Sequence, residues 1–483
     1  MRNCFELAAE EEQQHVADFD CARLKMLRRW IPKPLLLILV LAVVVKLQES
    51  KAASFCTKAD QCALDEELRP VAVPASVQAR YDHTRIYQVE LASEEHVRIF
   101  QALELASDSC SFMGHARAVG QKLTIMVTAA KVADFDDLVH SYNVTHRVLN
   151  HNFQSLIDAN YREVAPAGTP PDQFDWQRYH PLEGIYAWLE SLAKKRPDVV
   201  GMVDLGASTQ GLPIKGVRIA FGKENLTSVF VESGIHAREW IAPATATYFI
   251  DQLLNSEDPA VQALARSQNW LIFPTVNPDG YRYTFQGDRM WRKNRALFGI
   301  CRGVDLNRNF PFHWNVTGAS GDPCRYDYSG PSAGSELETQ RMVRFLEQHV
   351  HTDRIRTFIA LHSYSQMIMF PYGHSAIRVD NYQDLKEIGQ LAAQRIRDLS
   401  GRVYKSGSIY ETIYPSAGGS KDWAHGHLKI PITFSYELRG PADSEDLFIL
   451  SAKEIEPTAK EAFASLQTIV QEAGKRGYYS PAS

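Results

Sequence analysis

A histidine and a glutamate three residues apart, His236 and Glu239, are the residues whose types and spacing most clearly suggest chemistry. They follow the apolar run 229–231, which predicts a strand, and they precede segment 241–254, which predicts a helix. Because a turn from a strand into a helix lies at the edge of a sheet, both side chains can reach one metal ion. The same spacing occurs without such a context at His15/Asp18 and His180/Glu183.

A catalytic zinc site of the His₂Glu kind needs a second histidine and one open position for water. His362 is the best candidate, because it follows the apolar run 357–361 and would stand at the end of a neighbouring strand. The alternative is an ordinary hydrogen-bonded histidine beside the core. His236, Glu239 and His362 are therefore candidate ligands for one zinc ion.

Further motifs place the chain beside a known family. Read in order, they are Gly-Ile-His-Ala-Arg-Glu-Trp at 234–240, Asn-Pro-Asp-Gly-Tyr at 277–281, Val-Asp-Leu-Asn-Arg-Asn at 304–309, Leu-His-Ser-Tyr-Ser at 361–365, Gly-Gly-Ser at 418–420 and Thr-Phe-Ser-Tyr-Glu-Leu-Arg at 433–439. With these motifs the chain resembles the A/B-type zinc metallocarboxypeptidases over nearly all of residues 163–483. The resemblance implies an α/β domain with one mixed, twisted sheet of about eight strands flanked by helices.

The resemblance also implies the roles of the catalytic residues. Glu437 matches the general base, which takes a proton from water and passes it to the departing amine. Arg292 matches the residue that stabilises the oxyanion, and Asp305 matches the carboxylate that orients the first zinc histidine. Each of these residues has a plainer reading, as a rim residue or a surface salt bridge, so the roles depend on the family match.

Recognition of a free C-terminus by an exopeptidase requires a clamp for a carboxylate. Asn307 and Arg308 match that clamp in the family, and Tyr414 matches a mobile tyrosine that closes over the substrate. The remaining matches line the approach to the site: Arg238, Ser363 and Tyr364. Peptide or protein C-termini are therefore the expected partners, and single C-terminal residues the expected product.

Lys421 departs from the family at the base of the specificity pocket. An apolar residue there accompanies aliphatic or aromatic C-terminal residues, and an aspartate accompanies Lys or Arg. A lysine reverses that charge and predicts a preference for C-terminal Glu or Asp, because a buried unpaired ammonium is costly. The alternative is that Lys421 turns aside or pairs with Glu411, which leaves an apolar-accepting pocket of Ile409, Ser416 and Ser435.

The N-terminus reads as an export signal. Residues 1–53 form an extension and signal peptide with a translation start at Met26, and residues 54–80 form a linker. The apolar run 34–45 is shorter than the roughly 20 residues that span a bilayer, so no stable membrane span is expected. Secretion is predicted, with an uncleaved membrane anchor as the alternative. Three glycosylation sequons agree with secretion: Asn143, Asn225 and Asn315.

Residues 81–162 show alternating apolar runs at 85–89 and 123–127 and helical periodicity near 132–142, which predicts a small α+β domain. It resembles the activation segment of the family's zymogens. Arg162 is the expected cleavage point for a trypsin-like protease, which would release a catalytic domain of residues 163–483. The family also implies a Cys301–Cys324 disulfide, whereas the pairing of Cys56, Cys62 and Cys110 stays open.

Composition agrees with these expectations. The chain has 483 residues, a net charge of −5 and 45% hydrophobic residues, which is enough for a substantial core and more than one domain. No long basic run interleaved with aromatics occurs, so no nucleic-acid partner is expected. Segment 336–350 predicts a helix, for which Ser335 and Glu338 could form a capping box.

Overall fold

The structure is a computed structural model that describes residues 78–107, 109–222, 225–440 and 444–480. The predicted signal segment 34–45, the start at Met26 and the cysteines Cys56 and Cys62 lie outside the described residues. The described chain forms two compact units, one within residues 84–148 and one from residues 78–83 with 149–480. Among the described residues, no helix combines the length and apolar character that a membrane crossing needs.

The smaller unit is the predicted α+β fold. Its sheet has the order β2-β3-β1-β4, and β3 pairs antiparallel with β1 and β2. Its elements are β1 (Arg85–Glu90), α1 (Glu94–Ala106), β2 (Cys110–Met113), β3 (Lys122–Val127), α2 (Val132–Ser141) and β4 (His146–Asn150). Phe100 on α1 and Phe135 on α2 are fully buried against the sheet, which explains the helical periodicity of these segments.

The larger unit is built on a mixed eight-stranded sheet, which confirms the α/β prediction. The strand order is β13-β12-β14-β11-β7-β8-β6-β5. The central pairs β14/β11, β11/β7 and β7/β8 are parallel, and β5/β6, β6/β8 and β12/β14 are antiparallel. The strands are β5 (Val200–Ala207), β6 (Pro213–Ile219), β7 (Ser228–Ser233), β8 (Asn269–Phe273), β11 (Ile355–His362), β12 (Met367–Phe370), β13 (Lys405–Ser408) and β14 (Ile432–Glu437).

Helices cover both faces of this sheet. One face packs against α4 (Leu182–Lys195), α5 (Ile241–Asn255), α9 (Tyr382–Ser400) and α12 (Ile455–Lys475). The other face packs against α8 (Leu337–His349) and α11 (Ser420–Gly426). The remaining elements are α3 (Gln154–Arg162), α6 (Pro259–Ala265), α7 (Pro278–Gln286), the hairpin β9 (Leu297–Phe298) and β10 (Cys301–Arg302), and α10 (Ile409–Thr412). Since both faces are covered, the central strands read as continuous apolar runs.

Two local expectations are settled by the structure. The disulfide between Cys301 and Cys324 is present and ties the β10 strand to the following loop. The capping box predicted for α8 is wrong, because Glu336 occupies the cap position without a side-chain bond. The carboxylate of Glu338 instead accepts hydrogen bonds from the backbone N–H and the hydroxyl of Thr209, at 2.9 and 3.1 Å.

Candidate metal centre and substrate pocket

The predicted metal-binding side chains lie at the carboxyl ends of two adjacent parallel strands. Strand β7 ends at Ser233 and is followed by Gly234, whose φ of +65° and close approach to Thr275 Oγ1, 2.9 Å from an ideal Cβ, require glycine. This turn brings His236 and Glu239 back over the sheet edge before α5 begins. Strand β11 ends at His362, so it delivers the third residue to the same edge.

The three side chains converge on one point. His236 Nδ1 lies 2.8 Å from Glu239 Oε1 and 3.1 Å from His362 Nδ1, and His362 Nδ1 lies 3.2 Å from Glu239 Oε2. One ligand atom of each lies within 4.8 Å of the other two, and all three residues are buried. Two imidazole nitrogens and a carboxylate facing one another in this way form a ligand set for a divalent metal ion.

The electrostatics of the cluster fit a metal ion. Burial lowers the pKa of His362 to about 3, so its ring stays neutral and keeps the lone pair that a metal requires. Burial alone would raise the pKa of Glu239, but the charge of His236 and hydrogen bonds from both histidines bring it below its ordinary value. Glu239 is therefore a carboxylate, and two histidines with one carboxylate are the donor set that zinc takes in hydrolases.

Asp305 connects the metal-binding cluster to Arg292. It is fully buried and accepts hydrogen bonds from Arg292 Nε and Nη2, at 3.0 and 2.8 Å, while His236 Nε2 lies 3.3 Å from its other oxygen. Burial alone would raise the pKa of Asp305. This pKa is instead held well below its usual range by the nearby Arg292, Arg308 and His236. Arg292 Nη1 also lies 3.8 Å from Glu239 Oε1, so its guanidinium borders the cluster.

Glu437 stands beside the cluster at the end of β14. In the parallel pairing of β11 with β14 it is the register partner of His362, and it is partly exposed. Burial and the negative charge of Glu239 raise the pKa of Glu437 well above its ordinary value, against the opposing charges of Lys421, Arg292 and Arg308. Such a carboxyl is a stronger base than a solvent-exposed one.

Asn307 and Arg308 lie in the turn that follows Asp305. The Asn307 backbone N–H donates to Asp305 at 3.0 Å, and its side-chain amide lies 3.4 Å from His362 Nε2. The buried Arg308 guanidinium donates to the carbonyls of Gly318 and Asn307, at 2.7 and 3.0 Å, and lies 5.9 Å from the half-buried ring of Tyr414. These two residues therefore lie beside the metal-binding cluster.

The other predicted lining residues have different surroundings. The Ser363 backbone N–H donates to Glu239 at 3.2 Å, and the buried Tyr364 ring meets Phe448 edge-on at 5.1 Å. Arg238 stacks over the same Phe448 ring at 3.9 Å. Burial and the charge of Arg292 lower the pKa of Arg238 to about 10.

The residues predicted to form the pocket base lie in α11 and the loop before it. Gly418 has a φ of +69°, and an ideal Cβ there would lie 2.3 Å from the carbonyl oxygen of Arg308, so the pocket loop and the Arg308 turn meet backbone to backbone. The Ser420 N–H donates to Asn307 Oδ1 at 3.1 Å. Both contacts place Lys421, the next residue, beside the predicted carboxylate clamp.

Lys421 is buried, and its ammonium forms neither a hydrogen bond nor an ion pair with any residue that the structure describes. Burial and the nearby charge of Arg308 lower its pKa, whereas Glu232, Asp422 and Glu437 act in the opposite direction. Glu411, the alternative partner from the sequence, is exposed and accepts a hydrogen bond from Ser408 Oγ at 3.0 Å instead. The other predicted pocket residues are also buried: Ile409, Ser416 and Ser435.

Sequence reasoning missed two acidic residues near this pocket. Asp422 accepts hydrogen bonds from the backbone N–H groups of Gly373 and His374, which fixes the start of α11. Glu232 is fully buried in β7, and the only signal for it was one charged residue within an apolar run. Arg162, in contrast, is exposed at the end of α3 and belongs to no part of the metal centre.

Comparison with known proteins identifies the class. Residues 185–465 match the zinc carboxypeptidase family, and residues 87–160 match the carboxypeptidase activation peptide. The chain belongs to the zinc carboxypeptidase family, in the form of an A/B-type zymogen that carries its own activation peptide. It is a metallocarboxypeptidase, its metal is zinc, and His236, Glu239 and His362 are the described group that can hold it.

Individual relatives cover most of the chain. Zinc carboxypeptidase A 1 of Anopheles gambiae is 42% identical over 416 residues, which are 85% of this chain and 94% of the relative. Carboxypeptidase B of Rattus norvegicus is 30% identical over 406 residues, which are 83% and 96% of the two chains. The crystal structure of the carboxypeptidase A from Helicoverpa armigera superposes with a TM-score of 0.74 at 29% identity, covering 82% of this chain and 99% of that one.

Proposed function

We propose that this protein is a secreted zymogen whose catalytic unit removes single C-terminal residues and prefers glutamate and aspartate. The observation that carries the preference is Lys421, a buried lysine at the predicted pocket base whose ammonium has no ion-pair partner in the described chain. A buried charge of this kind is costly unless a ligand supplies the opposite charge. The side-chain carboxylate of the substrate's last residue is the group that would supply it.

The geometry of the metal centre supports the proposed catalytic roles. Zinc, when bound by His236, Glu239 and His362, lowers the pKa of a bound water and polarises a carbonyl. Glu437, next to His362 in register, accepts the proton of the attacking water and delivers it to the leaving amine. Arg292 presents a fixed positive charge to the developing oxyanion, and Asp305 holds its guanidinium in place through two hydrogen bonds.

In this proposal, Asn307 and Arg308 bind the free C-terminus of the substrate. The Asn307 amide lies 3.4 Å from Nε2 of His362, and the Arg308 backbone meets the pocket loop at Gly418. A carboxylate bound there would leave the preceding carbonyl near the metal and the last side chain near Lys421. Tyr414, half-buried and 5.9 Å from Arg308, would then close over the bound residue, while Arg238, Ser363 and Tyr364 line the approach.

The alternative specificity is a pocket for apolar C-terminal residues. Ile409, Ser416 and Ser435 are all buried around the pocket and have no charge. This alternative requires the Lys421 stem to move the ammonium away from the bound side chain. It loses support because Glu411, the partner suggested for that arrangement, is exposed and bound elsewhere.

Secretion and activation belong to the same proposal. The three sequon asparagines, Asn143, Asn225 and Asn315, are all exposed, and the Cys301–Cys324 disulfide suits an oxidising compartment. A trypsin-like protease would cut after the exposed Arg162 and separate activation residues 81–162 from catalytic residues 163–483. N-terminal sequencing of the exported protein would show whether the leader is removed, and an intact leader would favour a membrane anchor.

The proposal is tested by hydrolysis of matched peptides that end in Glu, Phe or Arg, by trypsin-treated protein with and without a zinc chelator. We expect chelator-sensitive release with Glu preferred over Phe and Arg rejected, and we expect Lys421→Met to abolish the preference for Glu. Phe preferred over Glu in the wild type would support the apolar alternative. No release by folded, zinc-loaded protein free of its activation peptide would indicate an inert peptide-binding relative.

A further inference from the structure

Glu232 is a buried acid that the zinc chemistry does not use. It lies near the end of β7, has no exposed surface, and neither of its carboxylate oxygens has a hydrogen-bond partner in the described chain. A buried ionised carboxylate without hydrogen bonds is costly. Glu232 therefore either binds a proton or needs a nearby positive charge that balances it.

The row of residues across the sheet shows what lies beside Glu232. Its register partner on β11 is Ala360, and the partner of Ala360 on β14 is Ser435. Residues in such a row point to the same face, and here that face is the one that α11 covers. The small side chains of Ala360 and Ser435 leave α11, with Lys421 in its first turn, directly over this part of the sheet. Within the part of the chain that the structure describes, two further buried hydroxyls in this region have no hydrogen-bond partner, those of Ser420 and Ser435.

Glu232 and Lys421 influence each other electrostatically without forming a direct ion pair. Burial raises the pKa of Glu232 to about 7, and the Ser420 hydroxyl and the charge of Lys421 act against this rise. In return, Glu232 is the first of the acidic groups that oppose the lowering of the Lys421 pKa. The two opposite charges thus share one buried region. Neither the Glu232 carboxylate nor the Lys421 ammonium has a hydrogen-bond partner in the described chain.

We infer that Glu232 is a second specificity-determining residue, whose negative charge balances that of Lys421 and thereby limits the preference for acidic over apolar C-terminal residues. The inference rests on the proposed acidic specificity. An acidic side chain in the pocket shares Lys421 with Glu232 and is repelled by it. An apolar side chain is tolerated because Glu232 still balances the buried ammonium.

The test compares kcat/KM for two peptides that differ only in a C-terminal Glu or Leu, with activated, zinc-loaded enzyme. We expect Glu232→Gln to raise the Glu-to-Leu ratio by about tenfold, which corresponds to roughly 1.4 kcal/mol. In a Lys421→Met background the same change should leave the ratio unaltered, because the charge that Glu232 balances is gone. Glu190→Gln, which removes an acid from the surface pair with Lys215, is the matched control and should leave the ratio unchanged.

Zinc content and the unfolding midpoint identify variants that fail to fold, and Glu232→Met removes the same charge if the glutamine variant does not accumulate. A ratio that stays constant or falls in Glu232→Gln would overturn the inference, as would an increase that persists in the Lys421→Met background. Failure of the proposed specificity is visible without any Glu232 variant. A wild-type enzyme that does not prefer Glu, with a ratio insensitive to Lys421→Met, would overturn both proposals.

Discussion

Asp305→Asn is expected to weaken both the fold and the metal site. The side chain has no exposed surface and accepts two hydrogen bonds from Arg292, at 3.0 and 2.8 Å, and one from the Asn307 backbone, at 3.0 Å. The substitution keeps the shape of the side chain but leaves the Arg292 guanidinium without its main counter-charge. Removal of one partner of a buried ion pair costs about 3–5 kcal/mol.

The lower part of that range applies here. Arg292 Nη1 lies 3.8 Å from Glu239, so part of its charge remains balanced after the substitution. We therefore expect a loss of about 3 kcal/mol in the free energy of unfolding, from a typical total of about 5–15 kcal/mol. Because Asp305 also orients His236, zinc affinity should fall by roughly 10–100-fold. Denaturant unfolding of the zinc-free protein and zinc competition against a chelator measure the two effects.

Asp279→Asn is the matched control for this prediction. Asp279 is as buried as Asp305, but it accepts hydrogen bonds from the Ser208 hydroxyl at 2.5 Å and the Gln210 N–H at 2.7 Å, with no cationic partner in the described chain. Its loss should cost only about 1 kcal/mol and leave zinc affinity unchanged. Equal destabilisation by the two substitutions, or unchanged zinc affinity in Asp305→Asn, would refute the reasoning.

Two further expectations concern stability alone. Burial raises the pKa of Asp279 to about 6, above the roughly 3.9 of an unfolded aspartate, so the contribution of this group to stability falls as the pH rises from about 4 to 6. Asp279→Asn lacks this group, so its melting temperature relative to the wild type should improve over that range; a constant difference would contradict this. Arg439 donates two hydrogen bonds, each of 2.8 Å, to the carboxylate of the fully buried Glu461. Arg439→Met removes both and should lower the free energy of unfolding, measured with denaturant, by about 3–5 kcal/mol. The double variant Arg439→Met/Glu461→Leu should recover most of that loss, and no recovery would argue against a charge effect.

The metal centre was predictable because its signals are local. The apolar runs before His236 and His362 identify two strand ends, and parallel strands end at a common edge, so two short segments suffice to bring the ligands together. The same logic predicted strands at 85–89 and 123–127 and helices near 132–142, 241–254 and 336–350, all of which the structure contains. The roles of Glu437 and Asn307 required the family resemblance, since neither residue differs locally from an ordinary rim residue.

The interactions that the sequence did not predict depend on tertiary neighbours. Ser335 and Glu338, three residues apart, suggested a capping box. Instead, Thr209, which is distant in the chain, donates two hydrogen bonds to the carboxylate of Glu338. Glu411 was the suggested partner for Lys421, yet the charge that faces the lysine includes Glu232 on β7. Nothing in either segment indicates that α11 covers that strand, so the relation between these two charges needed the fold.

The placement of the zinc ligands on β7 and β11 has a consequence for how the chain acquires its metal. His236 and His362 are 126 residues apart in sequence, yet their Nδ1 atoms lie 3.1 Å apart, so bringing them together carries the loop-closure entropy of a long chain segment. The ligands meet only when β11 pairs with β7 in the native register, and a slip of one residue would turn His362 to the other face. Metal uptake therefore reports completed assembly of the central sheet, and bound zinc stabilises the correctly paired strands against misregistered ones.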